Sequence, residues 1–135
     1  FFRKGPENSL SSPLYVDVIQ RQTGDILLRS ARWCGSLWCR LRGLQFRRRL
    51  RPGEAIILVH PDEGVFLSSI HMFFVFFAIA AVWIDSMGRV TSVQLARPWR
   101  PYYHSPSPAQ YVLEASPEFL SRVSVGDELN FVAAA

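Results

Sequence analysis

The longest hydrophobic stretch of this chain covers residues 72–84, in which no side chain is polar. Coiled as a helix, such a run would extend about 20 Å, which is too short to cross the hydrocarbon core of a bilayer. Most of its residues are aromatic or β-branched, the types that strands favour. The run therefore predicts one or two strands buried on both faces, with a break near Ala78, and no transmembrane span is expected.

The residues after this run predict a hairpin. Asp85 and Gly88 occupy the first and fourth positions of a type I turn. Residues 90–95 then alternate between the two faces of a strand. Asp85 is accordingly interpreted as a turn residue whose carboxylate binds its own backbone.

Other short hydrophobic runs predict the rest of a sheet. Residues 15–19 and 26–29 flank a glycine-containing loop, which favours another hairpin. Further strands are predicted at residues 54–59, 111–114 and 128–132. Residues 60–64 are expected to end the first of these, so that His60, like His104, is predicted to lie on the surface.

Two helices are predicted between these strands. The first begins at a Ser36 cap and closes at the Pro52-Gly53 pair, because leucines recur at helical spacing: Leu37, Leu41 and Leu44. Gly43 is expected either to allow a close backbone approach or to end a first turn. A short second helix is predicted to start at Ser116, where a hydroxyl cap, a proline and an acid follow one another.

These elements predict an α+β fold that is predominantly antiparallel β, a twisted sheet or small open barrel with one or two short helices. The chain has 135 residues, which suits one domain. Residues 1–13, rich in Ser, Pro and Gly, are predicted to form a flexible entry segment before a single domain at residues 14–135. Because the chain does not begin with Met, it is interpreted as part of a longer product.

Positive charge is concentrated in one segment. Residues 26–53, called here the Arg-rich segment, contain eight arginines and no acid. The whole chain carries a net charge of +4, so one basic face on a mildly acidic body is expected. Such a face attracts phosphate, anionic lipid or an acidic partner, although a solvated helix face gives the same pattern.

The two cysteines, Cys34 and Cys39, are five residues apart. On a helix, that spacing would direct them to different faces, so free buried thiols are predicted rather than a bridge. Free thiols favour a reducing compartment, and cytoplasmic localisation is the default expectation. An exported or membrane-tethered form stays open because the N-terminus is interpreted as incomplete. Neither cysteine belongs to a set with metal-ligand spacing, so no metal is predicted.

The order of the motifs along the chain resembles the pattern of a known family. The segment "HMFFVFFAIAAVWID", followed by "GRV" and "RPWRP", resembles the uncharacterised prokaryotic family called domain of unknown function 192. The order and spacing of the motifs match across about residues 30–130, and the matching positions are Arg42-Gly43-Leu44, His71 to Asp85, Gly88-Arg89-Val90, Pro98-Trp99-Arg100, Val112-Leu113-Glu114 and Gly126-Asp127. The resemblance implies a compact, mostly β domain and no assigned reaction.

This chain departs from the family pattern at three positions. Ala78 and Ala80 replace the family's Pro and Asp, and Gln45 replaces its Met. Any family activity that requires the Asp would be lost or altered here. The two alanines also make the apolar run more like a membrane span.

Five residues are candidates for ligand binding: Arg42, His71, Arg97, Trp99 and Arg100. Residues 97–103 interleave cations with aromatics on a proline-stiffened backbone, an arrangement that binds anions, bases or proline-rich peptides. The alternative is structural, with Trp99 plugging the barrel end and Arg97 or Arg100 paired internally. A histidine matches the family at position 71, and its alternative role is an ordinary core or rim residue.

The function predicted from these observations is a non-enzymatic accessory or binding domain, which presents the Arg-rich face to an anionic ligand or protein partner. No catalytic residue and no cofactor are predicted. Three alternatives stay open: nucleic-acid binding, attachment to a membrane surface, and an enzyme that uses His71 with Asp85 or Glu114.

Overall fold

One sheet organises the chain, which the computed structural model describes at residues 2–3, 13–45, 47–51, 53–64, 70, 72, 75–100 and 103–134. Its strands are β1 (Phe2–Arg3), β2 (Tyr15–Gln20), β3 (Ile26–Cys34), β4 (Ala55–Gly64), β5 (Ile79–Ile84), β6 (Val90–Ala96), β7 (Ala109–Ala115) and β8 (Leu129–Ala133). The described residues also form a helix, α1 (Leu37–Arg42), and a 3-10 helix, η1 (Pro117–Ser121).

The strand order is β1-β8-β2-β3-β4-β7-β5-β6. Two neighbouring pairs, β1–β8 and β3–β4, are parallel, and the other pairs are antiparallel. Parallel neighbours need a crossover, because the chain must return to the same end of the sheet before the next strand starts. The segment between β3 and β4, which contains α1, is that crossover.

The sheet curls into a half-barrel. Residues at the start of β6 form backbone hydrogen bonds with residues just before β8, near the opposite edge. Val90 N donates to Asp127 O at 2.8 Å, and Leu129 N donates to Gly88 O at 2.8 Å. The predicted α+β, mainly antiparallel fold with an open barrel is therefore confirmed.

Each face of the sheet buries a hydrophobic cluster. The inner cluster draws residues from every strand from β2 to β8 and from Phe119 of η1, as expected inside a curled sheet. The outer cluster lies over β4, β5 and β7 and includes Cys34, Leu44, Ile70 and Met72. Because both faces are covered, the central strands carry apolar residues at consecutive positions.

The long hydrophobic run divides at the predicted break. Its second half is β5, in which all six residues are buried on alternating faces of the sheet. Its first half was also predicted to be a strand, and this is wrong for the described residues, because Met72 and residues 75–78 are not in strands. The amide of Val75 instead donates to Met72 O at 3.2 Å, which closes a tight turn.

Both predicted hairpins are confirmed. β2 pairs with β3, and β5 pairs with β6 across the Asp85 turn. The Asp85 carboxylate accepts hydrogen bonds from the amides of Met87 and Arg89, both at 2.9 Å. This carboxylate is thus held by its own turn, as interpreted from the sequence.

Several predicted boundaries are corrected. β4 continues through His60 to Gly64 instead of ending at residue 59, and His60 is buried rather than on the surface. α1 ends at Arg42, and Gly43 caps it with φ near 49°, so this glycine ends a first turn. The element after Ser116 is the 3-10 helix η1.

The prediction of free cysteines is wrong. Cys34 and Cys39 form a disulfide with a Cα–Cα distance of 5.6 Å. Cys34 ends β3 while Cys39 lies in α1, so the helical spacing argument did not apply to this pair. The inference of a reducing compartment from free thiols loses its basis.

The N-terminal residues belong only partly to the described structure. Phe2 and Arg3 form β1 against β8, whereas residues 4–12 of the predicted entry segment lie outside the described residues. The division into an entry segment and a domain at residues 14–135 stays a prediction. Within the described ranges, no helix is long and apolar enough to span a membrane.

Candidate functional site

A groove of about 950 Å³ opens beside the β3–β4 crossover. Its walls come from the residues before and at the start of β2, from the second half of β3, from α1 and its C-terminal turn, and from the start of β4. The side chains used below are Arg32, Trp38, Cys39, Arg42, Arg47 and Glu54. This position follows from the parallel β3–β4 pair, because the crossover must leave the sheet and return to it.

Cations outnumber acids along the groove. Arg32 and Arg42 are exposed and have no ion pair in the described part of the chain. Glu54 is the one acid among the described residues that line the groove, and it is paired with Arg47. That hydrogen bond holds the pKa of Glu54 below its usual value, so Arg47 is neutralised and the positive charge of the other two arginines remains.

Aromatic and apolar surface lies beside this charge. Trp38 is 74% exposed on α1, and Leu14 and Tyr15 are exposed on the facing wall. Exposed apolar residues next to unpaired guanidinium groups suit a ligand that has a planar or apolar part and an anionic part. The groove therefore provides both kinds of contact in one place.

Local sequence chemistry positions α1 at the groove. Ser36 is its N-cap, and the hydroxyl oxygen accepts a hydrogen bond from the Cys39 amide at 3.1 Å. Arg40 fastens the helix to the sheet by donating to Val59 O at 2.8 Å. The disulfide joins the same helix to the end of β3.

The predicted binding residues do not form one site. Arg42 lines the groove, whereas Arg97, Trp99 and Arg100 lie in the turn after β6 and are not groove residues. His71 lies outside the described residues. The structure thus places the candidates that it describes at two locations.

The turn after β6 exposes Trp99. Trp99 is 46% exposed with φ near 64°, and its ring centroid lies 5.7 Å from that of Phe76. The Arg100 guanidinium stacks over the Tyr103 ring at 5.1 Å. Trp99 therefore does not plug the barrel, whereas Arg100 does make an internal contact.

Two ionisable side chains lie buried on the sheet face that α1 covers. Glu114 of β7 is 5% exposed, and no described residue forms a hydrogen bond or ion pair with its carboxyl. Burial raises its pKa to about 7. A Cβ on Gly43 would lie 3.9 Å from Glu114 Oε2, which places the carboxyl next to the C-terminal turn of α1.

His60 of β4 is the second buried group. Its Nε2 atom has no hydrogen-bond partner in the described part of the chain, and burial together with the nearby Arg40 charge lowers its pKa to about 4. Sequence reasoning missed His60, because the proline after it indicated a surface loop. It also missed Trp38, Arg32 and Glu54 as groove residues, since nothing local to the sequence shows that β3, α1 and β4 enclose one space.

No group of three or more His, Cys, Asp or Glu side chains that could hold a metal ion occurs among the residues that the structure describes.

Comparison with known proteins shows the family. The DUF192 model, described as "Uncharacterized ACR", matches residues 19–131, and the chain belongs to this family. A UPF0127 protein of Thermococcus gammatolerans is 43% identical over 75 residues, which is 56% of this chain and 47% of that protein. The chain therefore matches about half the length of that relative. A UPF0127 protein of Thermococcus sibiricus is 27% identical over 116 residues, or 84% of this chain and 73% of that protein.

Two crystal structures share the fold. A candidate transcription regulator from Sinorhizobium meliloti superposes with a TM-score of 0.76 at 22% identity, covering 91% of this chain and 98% of its own. A protein of unknown function from Novosphingobium aromaticivorans superposes with a TM-score of 0.70 at 18% identity. The superposition covers 93% of this chain and 99% of that protein's chain. The relatives and these neighbours are consistent with a family whose function is not assigned.

Proposed function

We propose that the protein is a binding domain that holds an anionic ligand with an aromatic or apolar part in the groove beside α1. The observation that carries the proposal is the pair of exposed arginines, Arg32 and Arg42, which no acid of the described chain neutralises. Guanidinium groups bind carboxylate, phosphate or sulfonate oxygens through directed hydrogen bonds. Trp38 supplies a stacking surface on the same wall.

Two dyes that differ in one charged group test this proposal. Anilinonaphthalene sulfonate joins an aromatic system to an anion, whereas N-phenylnaphthylamine has a similar aromatic system without the sulfonate. We expect the folded protein to bind the sulfonate dye more tightly, with a fluorescence change that Trp38→Ala reduces. Equal affinity for the two dyes would show that the groove does not recognise the anion.

Matched arginine variants locate the binding site. Arg42→Gln and Arg32→Gln are each expected to lower the affinity for the sulfonate dye by about five- to tenfold, because each removes a charge-assisted hydrogen bond at a solvent-exposed site. Arg29→Gln removes an equal charge from β3 outside the groove and is expected to change little. If Arg29→Gln weakens binding as much as Arg42→Gln, general charge and not the groove is responsible.

The turn after β6 stays a second proposed surface. Arg97, Trp99 and Arg100 are exposed there, and Trp99 adopts a backbone conformation that is uncommon for a residue with a side chain. Arg100→Gln separates the two locations, because it should leave dye affinity unchanged if the ligand binds in the groove. A loss confined to Arg100→Gln would move the proposed site to this turn.

Nucleic acid is the alternative occupant of the groove. The Sinorhizobium meliloti neighbour is described as a candidate transcription regulator, but at 22% identity the likeness concerns the fold. Titration with a labelled single-stranded oligonucleotide at several salt concentrations distinguishes this alternative. Affinity that falls steeply with salt, by about one unit of log slope per phosphate contacted, would favour nucleic acid over a small anion.

A further inference from the structure

We propose that the Cys34–Cys39 disulfide is a redox site that fastens α1 over the sheet, and that a dithiol reductant releases this helix. The part of the proposal that concerns ligand affinity rests on the proposed function of the groove. The part that concerns the helix stands on the contacts of α1 alone. Four observations carry it.

The first observation is that α1 is short and that its described apolar side chains other than Cys39 are exposed. It has six residues, fewer than an isolated helix needs to be stable in water. Leu37 and Trp38 are 64% and 74% exposed, so neither anchors the helix by burial. Its described attachments are the Ser36 cap, the Arg40 bond to Val59 O and the disulfide.

The second observation is that the disulfide is local. It joins the end of β3 to a residue five positions later, so it closes a short loop and restricts the unfolded chain little. The inner hydrophobic cluster, which draws on every strand from β2 to β8, contains neither cysteine. Reduction is therefore expected to free α1 while the sheet stays folded.

The third observation is that the two sulfurs differ in access. Cys34 is 1% exposed in the outer cluster, whereas Cys39 is partly exposed and lines the groove. A reductant thiolate that enters the groove would attack Cys39 Sγ and form a mixed disulfide, while Cys34 leaves as a thiolate and takes a proton. The second thiol of the reductant then displaces Cys39. The net reaction converts one disulfide and one dithiol into two protein thiols and one oxidised reductant.

The fourth observation is that α1 covers groups that prefer water when ionised. Glu114 lies next to Gly43, and His60 lies near Arg40, and neither ionisable group has a partner among the described residues. Loosening of α1 lets water reach both, which favours the open position of the helix once the covalent bond is broken. The same movement carries Trp38 and Arg42 away from the groove.

Hydrogen exchange of the full chain tests the release of the helix without any ligand. The amides of Arg40 and Gly43 form the intrahelical bonds to Ser36 O and Cys39 O, at 3.0 and 2.9 Å. After reduction with dithiothreitol under native conditions, these amides are expected to exchange at least about tenfold faster, while the β5 amides stay protected. Cys34→Ser/Cys39→Ser should exchange at the fast rate with or without the reductant.

Three outcomes would overturn the redox site. Unchanged exchange at Arg40 and Gly43 after complete reduction, verified by thiol titration, would show that the disulfide does not hold α1. Loss of protection in β5 as well would show that the bond maintains the whole fold. Resistance of the bond to dithiothreitol until denaturant is added would show that it is not accessible in the folded protein.

Dye binding then tests the link to the groove. Reduction is expected to lower the affinity of the wild-type chain for the sulfonate dye by about fivefold or more. Dithiothreitol should not change the dye affinity of Cys34→Ser/Cys39→Ser. If helix exchange accelerates but affinity stays the same, the redox site holds and its link to binding is wrong. If the oxidised chain does not bind the dye, the proposed function fails, whereas the exchange result still decides the redox site.

Discussion

β5 and α1 are both six residues long, yet different forces hold them. Every residue of β5 is buried, on one face in the inner cluster and on the other in the outer cluster. α1 exposes Leu37 and Trp38, and its attachments among the described residues are a cap, one hydrogen bond to the sheet and a disulfide. The comparison indicates that burial stabilises the fold at β5, whereas the candidate site is built beside a short helix that has few described attachments.

The electrostatics of the two regions differ in the same way. β5 contains no ionisable side chain, whereas the sheet face beneath α1 contains Glu114 and His60. Burying such groups without partners costs free energy, which a purely structural cover would avoid. Weakly held segments that cover ionisable groups are typical of functional regions.

The largest effect is expected at the centre of the sheet. Trp83→Ala should lower the free energy of unfolding by about 3–5 kcal/mol, because Trp83 is fully buried in the outer cluster and its loss leaves a cavity. Trp38→Ala is the matched control and should change the free energy of unfolding by less than about 0.5 kcal/mol, since Trp38 is mostly exposed. Chemical denaturation measures both, and similar losses would remove the contrast between the two regions.

Glu114→Gln is expected to change how stability depends on pH. The folded pKa of Glu114 is about 7 against a usual value of 4.5, so the folded state keeps this proton while the unfolded state releases it. Stability should therefore fall as pH rises from about 4.5 to about 7, by about 3 kcal/mol in total. The Gln variant should lack this fall, and an unchanged pH profile would show that the carboxyl is solvated.

His60→Phe is expected to act in the opposite direction. The pKa of His60 falls from 6.5 to about 4 on folding, so the unfolded state takes up the proton first. Stability should fall as pH decreases from about 6.5 to about 4, by a total on the order of 3 kcal/mol at most. The Phe variant should lack this acid-side fall, and denaturation between pH values of about 4 and 7 measures it. A wild-type profile in the variant would contradict the burial of the imidazole.

The smallest expected effect concerns the cap of α1. Ser36→Ala removes the oxygen that accepts the Cys39 amide and should destabilise the helix by about 1 kcal/mol. Faster hydrogen exchange of the Cys39 amide should report this change while β5 is unaffected. Ser36→Thr keeps a cap oxygen and serves as the control. Equal exchange in all three proteins would show that the cap does not hold the helix.

Local sequence chemistry was enough to predict much of the framework. The Asp85 turn, the two hairpins and the Ser36 cap depend on residues a few positions apart, and each is present. The break near Ala78 was also predicted correctly. The strand predicted before that break was not found in the described residues, because a composition rich in aromatics fits buried loops as well as strands.

The candidate site depended on contacts between distant elements. The groove forms only because β3 and β4 are parallel neighbours and the chain between them must cross over. The disulfide forms because Cys34 ends a strand while Cys39 lies in the next helix, which their spacing alone did not show. The burial of His60 and Glu114 also depends on elements distant in the sequence, since Arg40 lies near His60 and Gly43 lies next to Glu114.

By itself, the sequence determined the class of fold, its hairpins and its Arg-rich segment, since turn geometry and hydrophobic pattern act between near neighbours. Only the tertiary structure decided which arginines are neutralised, which cysteines meet and which ionisable groups lose water. Those properties depend on distances through space, which are set by contacts between residues that lie far apart in the sequence.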